Sequence, residues 1–151
     1  ATAMTQTSLL ITLSVLGVAS AHPFTAPRNP IPKSLLQTKN YPGECSASEQ
    51  AATKTCLDAY FATYGIDSSK GLPSFFDYMT KMNSVVEQYG AAGFDFYCDF
   101  ESTLESCLGP LMTSSCMNPD GFVKMYGLEQ MEALNYAMAF PMDSYMCSNK
   151  D

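Results

Sequence analysis

The stretch YCDFESTLESCLGPLMTSSC, residues 97 to 116, places Cys98, Cys107 and Cys116 at two successive intervals of nine. Phe94, Tyr97, Cys98, Leu104 and Leu108 recur at helical spacing and Gly109-Pro110 closes the run, so the pattern predicts a helix over 94–108. Nine residues of α-helix make about two and a half turns and rise about 13.5 Å, which sets Cys98 and Cys107 on opposite faces, too far apart to bond each other. Each must reach a different neighbour.

The same argument applies upstream. Cys45 and Cys56 are eleven residues apart, about three turns and 16 Å if both are helical, so they share a face but cannot pair. Of the fifteen pairings open to six cysteines, three contain the first forbidden pair, three the second and one both, which leaves ten. Cys107 with Cys116 stays open because Gly109-Pro110 breaks the helix between them. The preferred arrangement instead ties the helix and its trailing loop to the first helix and to Cys147, because this links the whole chain through one central element. Each bridge is expected to contribute about 2–4 kcal/mol, mainly by restricting the unfolded chain.

Working outward, Ser46 followed by Glu49 forms a capping box, and Ala52, Cys56, Leu57, Tyr60, Phe61 and Tyr64 fall on one face before Gly65. Pro73 suits a first helical turn, and Phe75, Phe76, Met79, Met82, Val86 and Tyr89 recur at three and four residues up to Gly90. Asn118-Pro119-Asp120-Gly121 reads as a turn. A fourth helix is expected over 122–140, with Phe122, Tyr126, Met131, Leu134 and Met138 inward, Gly127 weakening it and Pro141 ending it before a tail to Cys147. The class is therefore all-α, a small disulfide-stapled bundle of about four helices.

Toward the amino terminus, an apolar run from Leu9 to Val18 precedes Ala19-Ser20-Ala21, the small-x-small pattern that signal peptidase accepts. Residues 1–21 read as a secretory signal, with translation starting at Met4 or upstream of Ala1. Residues 22–44 carry five of the nine prolines and read as an extended arm, and 45–151 as the cysteine-rich helical domain. All six cysteines fall after the leader, and an even count in an oxidising compartment reads as three disulfides: Cys45, Cys56, Cys98, Cys107, Cys116 and Cys147 are all expected to participate. The protein is expected to be secreted and extracellular.

The net charge of −7, with scattered lysines, argues against nucleic acid and anionic membranes as partners, and no segment is apolar and long enough to insert in a bilayer. Asn83-Ser84 is followed by Val85, so the chain carries no Asn-x-Ser/Thr glycosylation signal there. The sole histidine is His22, which leaves 45–151 without an imidazole for Ser-His or Cys-His catalysis. No metal and no cofactor are expected: zinc finds no Cys-x-x-Cys pair, and the faint calcium loop at Asn118-x-Asp120-Gly121 has Gly127 where a bidentate Glu belongs. Asp95, Asp99, Glu101 and Glu105 read as a solvated acidic helix face rather than as a hydrolytic carboxylate pair. Phe75, Phe76, Met79, Met82 and Met131 are the candidate lining of a hydrophobic pocket, since methionine and aromatic side chains line adaptable apolar sites.

The order Cys45, Cys56, then FYCDFESTLESCLGPLMTSSC, then ALNYAMAFPMDSYMC resembles a nematode-enriched, secreted, cysteine-rich helical domain of unknown function. That resemblance implies an extracellular location and no catalytic residues. A second likeness is to the insect odorant-binding fold, whose last cysteine interval Cys107 and Cys116 match, although its Cys-x-x-x-Cys is missing. The reading that follows is a secreted, non-catalytic interaction module directed at an extracellular protein. The alternative is an extracellular carrier of a small hydrophobic ligand.

Overall fold

The computed structural model describes residues 44–149; the expected leader over 1–21, residues 22–43 of the expected arm with His22, and residues 150–151 lie outside them. Five α-helices follow one another: α1 (Ala47–Thr63), α2 (Phe75–Gln88), α3 (Gly93–Leu108), α4 (Pro119–Tyr126) and α5 (Gln130–Ser148). Short 3₁₀ turns link them, and no strand occurs among the described residues. The all-α, disulfide-stapled class holds, with five helices among the described residues rather than four.

Local chemistry sets the helix starts. The Ser46 hydroxyl accepts from the Glu49 N–H at 3.3 Å while the Glu49 carboxylate accepts from the Ser46 N–H at 2.9 Å, which completes the expected capping box. Ser74 caps α2 by accepting from the Asp77 N–H at 3.1 Å, so Pro73 stands just before the cap and not in the first turn. The segment 118–121 is not a free turn. Asn118 Oδ1 accepts from the Gly121 N–H at 2.8 Å and Pro119 fills the first helical position of α4.

The single helix expected over 122–140 is two. Gly127 adopts the left-handed conformation (φ 66°) and its N–H bonds back to the Val123 carbonyl at 2.8 Å, which closes α4 as a glycine C-cap. Conversely, Pro141 does not end α5, which continues to Ser148. A proline inside a helix forfeits a backbone hydrogen bond and costs about 3 kcal/mol. Here the residues on either side are fixed by tertiary contacts: Phe140 and Asp143 are buried, and Cys147 is bonded to α3.

The disulfides are Cys45–Cys116, Cys56–Cys107 and Cys98–Cys147, spanning 71, 51 and 49 residues. Neither forbidden pair occurs, and each cysteine of the 98–116 stretch reaches α1, its N-terminal lead or α5. α3 consequently lies against α1, α2 and α5, while α4 packs chiefly on α5.

Between the staples the interior is aromatic. Phe61 is fully buried and meets Tyr78, Tyr126, Tyr136 and Phe140 edge to face, and Phe122 stacks on Tyr136 and Phe140. Such pairs contribute about 0.5–1.5 kcal/mol each beyond the area they bury. The inward faces differ from the expected ones in places: Ala52 is exposed and Thr53 buried on α1, Tyr78 is the fully buried aromatic of α2, and α5 turns Ala133, Tyr136 and Phe140 inward, with Leu134 and Met138 half-buried.

Gly121, like Gly93 at the start of α3, marks a close backbone approach. A Cβ there would lie 2.1 Å from the Cys116 carbonyl oxygen, so α4 can sit against the 115–117 turn only without a side chain. Gly121→Ala is expected to lower the unfolding free energy by about 1–3 kcal/mol in a urea titration, because the obstacle is backbone held by the Cys45–Cys116 bond.

Candidate functional site

Helices pack with their stripes of apolar residues facing inward, yet one position on the α3 stripe is a carboxylate. Tyr97, Glu101, Leu104 and Leu108 recur at four, three and four residues and all are buried. Glu101 is only 1% exposed, so it does not belong to a solvated acidic face. Glu105 is half-buried, and Asp95 and Asp99 are exposed. The four acids therefore do not act as one surface.

A second carboxylate joins Glu101 from α5. The Cys98–Cys147 bond brings the two α-carbons within 5.3 Å. One turn forward along α3 from Cys98 lies Glu101, and one turn back along α5 from Cys147 lies Asp143, which is 6% exposed. The disulfide thus holds two acids together inside the protein.

Tyrosines surround the pair. Tyr60 of α1 donates to Glu101 Oε1, its hydroxyl lies 3.2 Å from that of Tyr78 of α2, and the Tyr64 hydroxyl donates to Tyr60 at 3.4 Å. A hydroxyl has one proton, so with the Tyr60 proton directed at Glu101, Tyr78 is the donor in its contact with Tyr60. The Tyr97 hydroxyl stands beside Asp143 without a well-formed hydrogen bond. Glu101 Oε2 and Asp143 Oδ2 have no hydrogen-bond partner in the protein.

Burial without a countercharge governs how these groups ionise. Desolvation first, then the Asp143 charge, push Glu101 up to about 8 against the opposing Tyr60 hydrogen bond. Desolvation raises Asp143 to about 6, opposed by Tyr97. The two titrate as a coupled pair. Desolvation holds the hydroxyls of Tyr60, Tyr64, Tyr78 and Tyr97 above the ordinary phenol range, so they stay protonated donors. Asp58 on α1 shows the opposite outcome. Desolvation works to raise it, but donors from Lys54 (2.7 Å), Ser68 (2.7 Å) and Tyr126 (2.9 Å) outweigh that and hold it below the usual carboxylate range.

The five residues expected to line a pocket do not share one environment. Met82 is buried in the core, Phe75 and Met79 are half-buried against it, and Phe76 and Met131 are 78% and 67% exposed. A shallow surface depression lined by Asp58, Ala62, Ile66, Asp67 and Ser69 includes none of the five and neither buried acid. The Phe75 N–H donates to the Glu132 carboxylate at 2.7 Å, which joins the start of α2 to the start of α5 and brings the neighbouring Phe76 and Met131 to one end of the bundle.

Of the polar cluster, Tyr60 and Tyr97 were legible as inward residues and Glu101 as part of an acidic group. Tyr64 lay on the expected face of α1. Tyr78 and Asp143 were not identified; the spacing Phe140, Asp143, Cys147 carried the signal for Asp143, but Pro141 argued that no helix continued there. Comparison with family models, curated proteins and solved structures finds no match to this chain.

The sign of the pH effect follows from the raised values. The folded protein retains protons on Glu101 and Asp143 that the unfolded chain releases near 4.5 and 3.8, so their contribution to stability is present below about pH 4 and is lost as pH rises toward 8. Thermal unfolding is expected to show a melting temperature that falls from about pH 5 to pH 9. Glu101→Gln keeps an acceptor for Tyr60 and removes the charge. It should match the wild type at about pH 4.5 and exceed its stability by about 2–4 kcal/mol at pH 9, a tenfold change in proton affinity being about 1.4 kcal/mol.

Proposed function

We propose that this chain is a secreted, non-catalytic interaction module whose partner is an extracellular protein. The observation that carries the reading is the contrast between a covalently stapled, aromatic-filled body and the two most exposed of the four large apolar side chains on its described surface, Phe76 and Met131; the other two, Tyr89 and Phe96, stack on each other. Isolated apolar residues are ordinary on a surface, but two such side chains, one flexible and one flat, each next to a partner in the Phe75 N–H to Glu132 carboxylate bond, suit a small protein contact. Methionine adapts its shape and phenylalanine supplies flat area, the combination that contact surfaces favour.

Three disulfides support the extracellular part, since such bonds persist in oxidising compartments. No helix among the described residues is long and apolar enough to cross a membrane. The non-catalytic part is supported by the placement of the acids. A catalytic carboxylate must touch its substrate, whereas Glu101 and Asp143 are enclosed by tyrosines and hold ionisation shifts that burial accounts for. The same proposal covers the likeness to the nematode-enriched secreted domain, which rests on the order of the six cysteines and the aromatic residues before Cys147.

The test uses the full chain expressed through a secretory pathway. The medium should contain a protein six hydrogens lighter than its reduced form and free of small ligand in native mass spectrometry. A photo-crosslinking residue at position 76 should capture a discrete extracellular protein from the fluid of the source tissue, and one at Ser102 should not. Phe76→Ser with Met131→Ser should abolish that capture while changing stability by less than about 0.5 kcal/mol per site. Retention inside the cell, a co-purifying apolar ligand released by organic extraction, or equal capture from both positions would overturn the reading.

A further inference from the structure

The acid pair sits where it can act on more than overall stability. Glu101 belongs to α3 and Asp143 to the part of α5 beyond Pro141, and the two residues are among the groups packed where these helices meet. Among the described residues, the titratable groups acting on the pair are Tyr60 and Tyr64 from α1, Tyr78 from α2, Tyr97 and Glu105 from α3, and the two acids themselves, and none of these is a base. Each acid also keeps one oxygen without a protein partner. Two buried carboxylates that feel each other's charge can remain enclosed in such surroundings while a proton neutralises one of them, but not when both are charged.

We propose that the Glu101–Asp143 pair is a proton-held closure between α3 and the C-terminal part of α5, which parts from α3 when both acids ionise. Pro141 supplies the place where α5 can bend, since its ring removes one backbone hydrogen bond from the helix there. The Cys98–Cys147 bond, one turn from each acid, limits how far the helices separate and returns them to register when a proton rebinds. The motion is therefore a tethered opening within a folded protein. It would uncover the tyrosine cluster and the buried face of Phe140. The ionisation range already derived for Glu101 places the transition in mildly alkaline solution. This closure is independent of the interaction surface at Phe76 and Met131.

Hydrogen exchange on the oxidised full chain at pH 6 and pH 9, corrected for the intrinsic pH dependence of exchange, tests it. Amides of residues 142–148 should lose at least about tenfold in protection between the two conditions, while α1 and α4 keep theirs. Glu101→Gln should abolish that loss, and Asp143→Asn, which removes the other charge, should do the same and serves if the first variant does not fold. Unchanged protection of 142–148 in the wild type would overturn the proposal. So would equal loss in every helix, which signifies global destabilisation, or a folded variant that keeps the wild-type pH response.

Discussion

The Cys98–Cys147 bond is the constraint from which the architecture of the second half follows. It fixes the end of α5, which runs helical through Pro141, against the first turns of α3. It also determines that the side chains one turn away on each helix, Glu101 and Asp143, meet inside the protein. The covalent bond keeps the two helix segments that carry the acids within reach of each other, because it does not weaken as charge accumulates beside it. The polar cluster is thus a consequence of where the cysteines stand.

The other two bonds and the aromatic core divide the remaining work. Cys45–Cys116 and Cys56–Cys107 close long loops and so act mainly on the unfolded chain, by about 2–4 kcal/mol each. The edge-to-face contacts around Phe61 and the stack through Phe122, Tyr136 and Phe140 act on the folded state. This pairing of devices lets a small domain tolerate an energetically unfavourable feature. Leaving two carboxylate oxygens buried without partners costs free energy that packing and staples offset. The Tyr60, Tyr64 and Tyr78 hydroxyls reduce the penalty by directing a chain of donors toward one oxygen of Glu101.

Much of this was legible in the sequence for local reasons. The Ser46–Glu49 box, the α3 stripe and its glycine-proline end depend on neighbours a few residues away, and the structure carries them as read. The cysteine argument also succeeded in its main part, because helical rise excludes short-range pairs whatever the tertiary fold. Failures occurred where two local signals competed. Glu101 occupies an inward position by periodicity and an outward one by charge, and periodicity prevailed because Tyr60 could reach it with a hydrogen bond. Pro141 signals a helix end by its chemistry, but Phe140 and Cys147 hold the backbone helical on either side. Gly127 signals either a weak point or a cap, and its left-handed conformation made it the cap that divides α4 from α5. Phe76 and Met131 share the helical spacing of core residues, yet each lies just off the face its helix buries.

The sequence by itself determined the class, the start of α1, the participation of six cysteines and the impossibility of two pairings, since each rests on short-range geometry or on composition. Only the tertiary structure decided which of the allowed pairings forms, that α5 runs through its proline, and that Glu101 finds Asp143 across the α3–α5 contact. These depend on which surfaces meet. Residues 42 positions apart become neighbours through packing and a covalent bond, and no local periodicity encodes that distance.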